Sequence, residues 1–492
     1  MKFRNNIIVF LLLMAIVTAG CNEKADLIAD LELTQEISVI TDDETYVSSE
    51  QAIEIAEAFF GRQTGMIVTK SSPDALRKNV SIETLRDYDN PSMYILNYSG
   101  GGWAIIGASR NYYPILAYNE TGSFESDHEI GGLTIWMEET KDAIRTSDTF
   151  DDSTKLAMRS MWKSYEMEDY QPPVSSQLKS SSDQYTAYET RRNELYEQYG
   201  DDGWYFTSLE NAQSYFWVTG QWAAFVNEAY SMGSQPQYTI VGIKDSYTSQ
   251  QVGPLLTTKW GQNAPFNSIC CSSNIPAGCA SVAMSQIMKY HQYPHSFSYN
   301  GYQFGWSNIN SNPTGHFDIY NLIASTGHAA NTTYWSSGSW ALPGNVADGL
   351  RVPFGYTVTR ANHNYSTVES QLLVHKRPVL MAGGTLNLPN VLALIGNGHY
   401  WVCEGANRIK DESFFFIEYQ PSWPGGVFSV THGSPSYPEL LRSVHYLYFY
   451  MNWGWQGSSD GWFAFNNVSP PDGDNYQYGR EDLYISCPNC PH

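Results

Sequence analysis

Pro276-Ala277-Gly278-Cys279-Ala280-Ser281-Val282-Ala283-Met284-Ser285-Gln286-Ile287-Met288-Lys289-Tyr290-His291-Gln292-Tyr293-Pro294 is the stretch on which the chain turns. Ala280, Ala283, Met284, Ile287 and Met288 stand at i, i+3, i+4, i+7 and i+8, the spacing of one apolar helix face. Pro276 and Gly278 punctuate its start, and Pro294 cannot continue it. The spacing predicts a helix that begins at Cys279. There the helix dipole and the unpaired N–H groups favour a thiolate, the reactive form of cysteine. A Cys in such a setting is otherwise a small buried hydrophobe, so its chemistry depends on partners.

A base is available in Asn397-Gly398-His399-Tyr400-Trp401-Val402-Cys403. Gly398 leaves room for close approach, and an aromatic, apolar strand follows His399. A third group should orient the imidazole. Asn452-Trp453-Gly454-Trp455 follows the strand pattern of Tyr446–Met451; Asn452 can accept from a ring nitrogen and Trp453 can shield that bond from water. Gln262, in Trp260-Gly261-Gln262-Asn263, is the expected oxyanion donor beside the Cys279 backbone N–H. His291 and His295 are spaced i, i+4, but Pro294 separates them and no acidic ligand motif accompanies them. Neither a metal nor a cofactor is expected.

The order Gln262, Cys279, His399, Asn452 resembles that of papain-like enzymes. Gly278–Ala283 with Gln286–His291 and Pro294 resembles the nucleophile segment of streptopain-family peptidases. Gly398-His399 before a hydrophobic strand, and Asn452-Trp453-Gly454-Trp455 with Gly457 and Asp460-Gly461, are similar to the family's base and aromatic segments. Gly101–Ala108 and Pro114–Phe124 are similar to its inhibitory propeptide. Tyr400 stands where family members commonly carry Ala, and Gln456 where they carry Gly. The resemblance implies an α+β, papain-like two-subdomain enzyme, a Cys-bearing helix on an antiparallel His-bearing sheet, preceded by a smaller α+β prodomain. It implies endopeptidase action on unfolded or loop segments, an apolar preference two positions before the cut, and removal of the prodomain as an intramolecular inhibitor.

Working outward, the chain has 492 residues, room for two to four domains. Hydrophobic content of 42% and charged content of 16% suit a folded protein, and 35 Tyr suit strands and loops. A net charge of −22 argues against nucleic acid or anionic membranes as partners. Lys2 and Arg4 precede the apolar run Ile7–Val17, and Thr18-Ala19-Gly20-Cys21 follows. That reads as a signal over 1–21 ending in a lipobox-like site, with a lipid anchor on Cys21, export to the cell envelope and release of the mature enzyme, or, because Thr18 stands where an aliphatic residue is usual, as an ordinary secretory signal. Residues 22–45 read as a tether and 46–147 as the inhibitory prodomain. Residues 148–245 read as a helical and linker segment holding the maturation cleavage, around Gln171–Asp183. Residues 246–486 read as the catalytic domain and 487–492 as a tail.

In the prodomain Ser48-Ser49-Glu50-Gln51 has capping-box spacing before a helix to Gly61. Met93–Tyr98 and Trp103–Ala108 predict a hairpin, Tyr113–Tyr118 a third strand and Leu133–Thr146 a second helix. Tyr185–Tyr199 and Asn211–Tyr230 also have helical patterns. Cys487-Pro488-Asn489-Cys490 has redox or metal spacing but no second pair, so it reads as a local bridge or two idle thiols, and the pairing among Cys270, Cys271, Cys403, Cys487 and Cys490 stays open. Gly457-Ser458-Ser459-Asp460-Gly461 matches G-x-S-x-G by letters, but a strand rather than a helix follows, which makes it a turn. Two other functions fit the composition: a non-catalytic surface lipoprotein binding peptide or glycan, and an amidase or acyltransferase using the same Cys and His.

Overall fold

The computed structural model describes residues 45–63, 79–126, 132–166, 182–208, 212, 238–336, 338–384, 398–420, 430–464, 480–488 and 490. The expected signal and lipid site at Cys21, the linker around 171–181 and the helix over Asn211–Tyr230 lie outside these residues. Among the described residues no helix is long and apolar enough to cross a membrane.

The N-terminal unit is built as its local signals imply. Helix α1 (Ser49–Gln63) opens on a reciprocal cap. Ser48 N–H donates to Gln51 Oε1 at 2.8 Å, and Gln51 N–H donates to Ser48 Oγ at 3.3 Å. An antiparallel meander follows: β1 (Val80–Asp87), β2 (Asn90–Tyr98), β3 (Trp103–Gly107) and β4 (Ile115–Asn119). Gly101 and Gly102, at φ of +91° and +94°, make the β2–β3 turn. Sequence periodicity missed β1 because it is an edge strand with almost no buried side chain to register. Helix α2 (Gly132–Thr146) and helix α3 (Asp152–Glu166) complete the unit, α3 packing on α1. Trp162 of α3 is fully buried and its indole N–H donates to Tyr112 O at 2.7 Å. The core of this unit therefore continues to Glu166, past the expected limit at 147.

Helix α4 (Ser182–Tyr199) and strand β5 (Trp204–Ser208) lie against strand β6 (Tyr238–Val252). Arg191 clamps Glu418 through one guanidinium edge, Nε to Oε1 at 2.8 Å and Nη2 to Oε2 at 3.0 Å. Strand β6 runs across the expected boundary at 245/246, since its ladder partner lies deep in the C-terminal half. Beyond it come α5 (Cys279–His291), the hairpin β7 (Ser296–Tyr299) and β8 (Tyr302–Gly305), and helices α6 (Trp306–Ser311), α7 (Phe317–Ala329) and α8 (Pro343–Arg351). Strand β9 (Thr357–Asn362), helix α9 (Tyr365–Leu373) and strands β10 (Val379–Gly384), β11 (Gly398–Gln420), β12 (Val430–His432), β13 (Glu439–Asn452), β14 (Gly461–Ala464) and β15 (Glu481–Ser486) complete the described chain.

One antiparallel sheet links all the described strands except the β7–β8 hairpin, in the order β1-β2-β3-β4-β14-β13-β11-β10-β15-β9, with β6 and β12 on the far part of β11 and β5 on β6. Its decisive joint is β4 on β14, with Trp462 opposite Tyr118 and Phe463 opposite Ala117. The two α+β units thus share a sheet. On one face Ala280, Ala283, Met284, Ile287 and Met288 of α5 meet Leu380, Ala382, Tyr400 and Val402 in one core. On the other, Val379, Met381, Trp401 and Cys403 join the N-terminal unit in a second.

Candidate active site

Gly278 precedes α5 with φ of +92°, a conformation that suits glycine, and Cys279 is the first helical residue. Residues Cys279–Met288 are buried all round, so α5 is a central helix rather than an amphipathic one. Thr326 of α7 donates to Ser281 O at 3.0 Å and pairs with Ser285 Oγ at 2.9 Å, fixing the helix from its other side.

The Cys279 thiol is 7% exposed and faces the N–H groups of Tyr400, Ala280 and itself. Burial pushes the thiol pKa up, and the three N–H groups draw it back only in part. The helix start acts on the thiol as the sequence implies. Desolvation outweighs it. Tyr400, through its main chain, thus places the start of β11 against the thiol. Its own side chain packs in the helix-side core and its hydroxyl donates to Ala341 O at 3.0 Å.

His399 is 3% exposed and sits one residue before that contact. Its Nε2 lies 3.0 Å from the Trp453 carbonyl oxygen. A carbonyl only accepts, which assigns the proton to Nε2 and the acceptor lone pair to Nδ1. Trp401 stacks at 6.3 Å and 10°, and Trp455 lies at 5.3 Å.

Asn452 differs from its expected role. Its amide oxygen accepts from Gln286 Nε2 at 3.0 Å and from Gly454 N–H at 3.2 Å. Its nitrogen donates to Thr258 O at 3.0 Å and Glu404 Oε1 at 3.1 Å. The amide is spent on this buried network, and the Trp453 main chain touches His399 in its place. Trp453 is 1% exposed, with its indole 5.5 Å from that of Trp401.

Gln262 comes to the same place through its backbone, its carbonyl accepting from Ala277 N–H at 2.8 Å, two residues before Cys279. Gln456 covers the neighbouring Gly261, where a Cβ would stand 2.7 Å from its side chain. Its φ of +57° explains why glycine suits that position in related sequences. The stretch 457–461 is a turn leading into β14, as read.

The N-terminal unit reaches this site. A Cβ on Gly132, at the start of α2, would stand 2.6 Å from the Trp453 ring and 2.7 Å from that of Trp401. Glu139 of α2 pairs with buried Arg480, and burial raises its pKa to about 7 against the pull of the guanidinium.

The remaining thiols divide clearly. Cys487 and Cys490 are bridged, the local link expected. Cys270 and Cys271 are adjacent free thiols 2.9 Å apart, and Cys403 is free and buried. His291 lies with Cys487 and Cys490, their ligand atoms within 4.8 Å, but a disulfide offers no thiolate to a metal.

Residues 260–463 match the Peptidase C10 family and residues 44–144 the Spi protease inhibitor family. Streptopain of Streptococcus pyogenes is 24% identical over 230 residues, covering 39% of this chain and 46% of its own length. The chain thus spans about half the length of the curated relatives it matches. Among solved structures, a Cys-to-Ala mutant fragment of Prevotella intermedia prointerpain A superposes with a TM-score of 0.43 at 16% identity, over 82% of this chain and 98% of its own. Active wild-type interpain A of the same organism gives 0.31 at 20%, over 48% and 94%.

Proposed function

We propose, for a chain in which a Peptidase C10 domain follows an Spi protease inhibitor domain, that it is the precursor of an exported cysteine endopeptidase. The observation that carries this reading is Cys279 at a buried helix start, against the Tyr400 N–H, with His399 as the preceding residue of the same strand. In the reaction, His399 takes the thiol proton and Cys279 Sγ attacks the peptide carbonyl carbon. Gln262 and the Cys279 N–H hold the oxyanion. The intermediate collapses as the imidazolium protonates the leaving amine. Water, deprotonated by His399, then cleaves the thioester and restores the thiol.

Residues 46–147, extended by α3, act as the intramolecular inhibitor. The buried, protonated thiol and the packing of α2 on Trp401 and Trp453 support a latent precursor. Cleavage falls within 148–245, and Cys21 anchors the precursor to the cell envelope.

Cys279→Ala should abolish both casein hydrolysis and self-processing, while the wild-type chain should take up a thiol-directed epoxide at that residue. Hydrolysis that persists in Cys279→Ala would sink the reading.

A further inference from the structure

Two buried carboxyl groups bracket the peptide unit that faces His399. That unit joins Trp453 to Gly454: its carbonyl lies 3.0 Å from His399 Nε2, and its N–H donates to Asn452 Oδ1 at 3.2 Å. Asn452 is itself turned by Glu404, whose Oε1 takes the Asn452 Nδ2 proton at 3.1 Å while Oε2 accepts from Leu256 N–H. From the other side Asp460 Oδ1 accepts from Trp453 N–H at 3.0 Å, and Ser459 O accepts from the Trp453 indole at 3.0 Å. Glu404 and Asp460 are each 2% exposed and line one cavity of about 320 Å³ together with Asn452 and Lys259. Desolvating two acids is costly unless they are hydrogen-bonded, and apart from Glu404 Oε2 on Leu256 N–H the carboxylate contacts named here lead to Trp453 or to the amide that holds it.

We propose that Glu404 and Asp460 are positioning residues for His399, acting through Asn452 and the Trp453 main chain to aim the Trp453 carbonyl at Nε2. An imidazole held at Nε2 keeps its proton there and offers Nδ1 to the thiol, the tautomer that proton transfer from Cys279 requires. The proposal rests on the peptidase reading and adds two residues that touch neither substrate nor nucleophile. Strand β4 and its following turn close the same cavity, through Tyr118, Asn119, Glu120 and Thr121. Asn119 donates to Asp460 O at 2.8 Å, so the inhibitor unit grips the turn that carries the relay.

Three other charged or titratable groups face the pair. Lys259 lowers both acids, Tyr450 packs beside them, and Glu120 stands at the cavity wall. Burial wins over Lys259, raising Glu404 to about 8 and Asp460 to about 7.

The test uses the full chain after maturation, with kcat and KM on a peptide substrate and the pH dependence of Cys279 alkylation by iodoacetamide. Asp460→Ala and Glu404→Leu should each lower kcat on the order of 10²-fold, the cost of a misplaced catalytic group. KM should stay within about twofold, and the alkylation profile should move to higher pH as the imidazolium loses its support. Asp460→Asn keeps an oxygen for the Trp453 N–H, and Glu404→Gln keeps one for Asn452. Both should recover most of the lost kcat, and both preserve shape if the apolar variants do not fold. Unchanged kcat and profile in the apolar variants overturn the proposal. So does a kcat that falls only in step with thermal stability while the profile stays in place. A wild-type chain without Cys279-dependent hydrolysis would instead defeat the peptidase reading itself.

Discussion

Strands β10 and β11 present two faces that are equally apolar and differ in what covers them. Leu380, Ala382, Tyr400 and Val402 meet the nucleophile helix, while Val379, Met381, Trp401 and Cys403 meet the N-terminal unit. Successive side chains of a strand point to opposite faces, so one residue number decides which core a side chain joins. The helix face is permanent, because α5 lies within the sequence of the enzyme domain. The other face is closed in part by α2 and by β4, which the proposed maturation removes. A sheet buried on both sides reads as a continuous apolar run, and nothing in such a run says which side is meant to open.

Truncation of one large side chain on each side separates the faces most sharply. Ile287→Ala on the helix face should cost about 2–5 kcal/mol in the precursor and in the mature enzyme alike. Trp162→Ala, in the core of the N-terminal unit, should cost about 3–5 kcal/mol in the precursor and leave the mature enzyme unchanged. Denaturant unfolding of both forms checks this, and equal losses in the mature form would erase the distinction between faces.

Arg480→Ala acts at the joint between them. It leaves Glu139 buried without its guanidinium, a loss of about 3–5 kcal/mol for a broken buried pair. The precursor should then mature faster, as followed by gel. Glu139→Gln should have a smaller effect, since the Gln amide oxygen can still accept from the Arg480 guanidinium.

The acids at this joint also set a pH dependence. Burial raises Glu139 to about 7, Glu404 to about 8 and Asp460 to about 7, each above its ordinary value. Their contribution to stability is full below the ordinary carboxyl range and is lost as pH rises through 7 to 8. The precursor should therefore have a higher urea midpoint at pH 4.5 than at pH 8, with a smaller difference in Glu404→Gln. The smallest expected effect is local: Ser48→Ala should cost about 1 kcal/mol through the lost cap, seen as a lower precursor melting temperature with mature activity intact.

Much of the site was legible in residue types. Cys279 announced itself by the apolar periodicity that follows it and by Gly278 before it. His399 was marked by the glycine before it and the strand after it. The orienting group was not legible in the same way. Asn452 was a reasonable choice because its side-chain oxygen can accept a hydrogen bond, whereas every residue has a carbonyl, so Trp453 O carries no signal of its own. Glu404 and Asp460 were missed for a related reason: an acid in a strand or a turn reads as solvated, and only burial reveals that it is not.

What the sequence determined by itself is local: the helix from Cys279, the cap at Ser48, the hairpin over 93–107 and the side-chain chemistry of Cys279 and His399, the proposed nucleophile and base. These are encoded within a turn or two of backbone. What the tertiary structure decided is the joining of β4 to β14, the run of β6 across the expected boundary, and the aim of the Trp453 carbonyl at His399. Each of these unites segments far apart in the chain through main-chain hydrogen bonds, and the main chain is the same whatever side chain it carries.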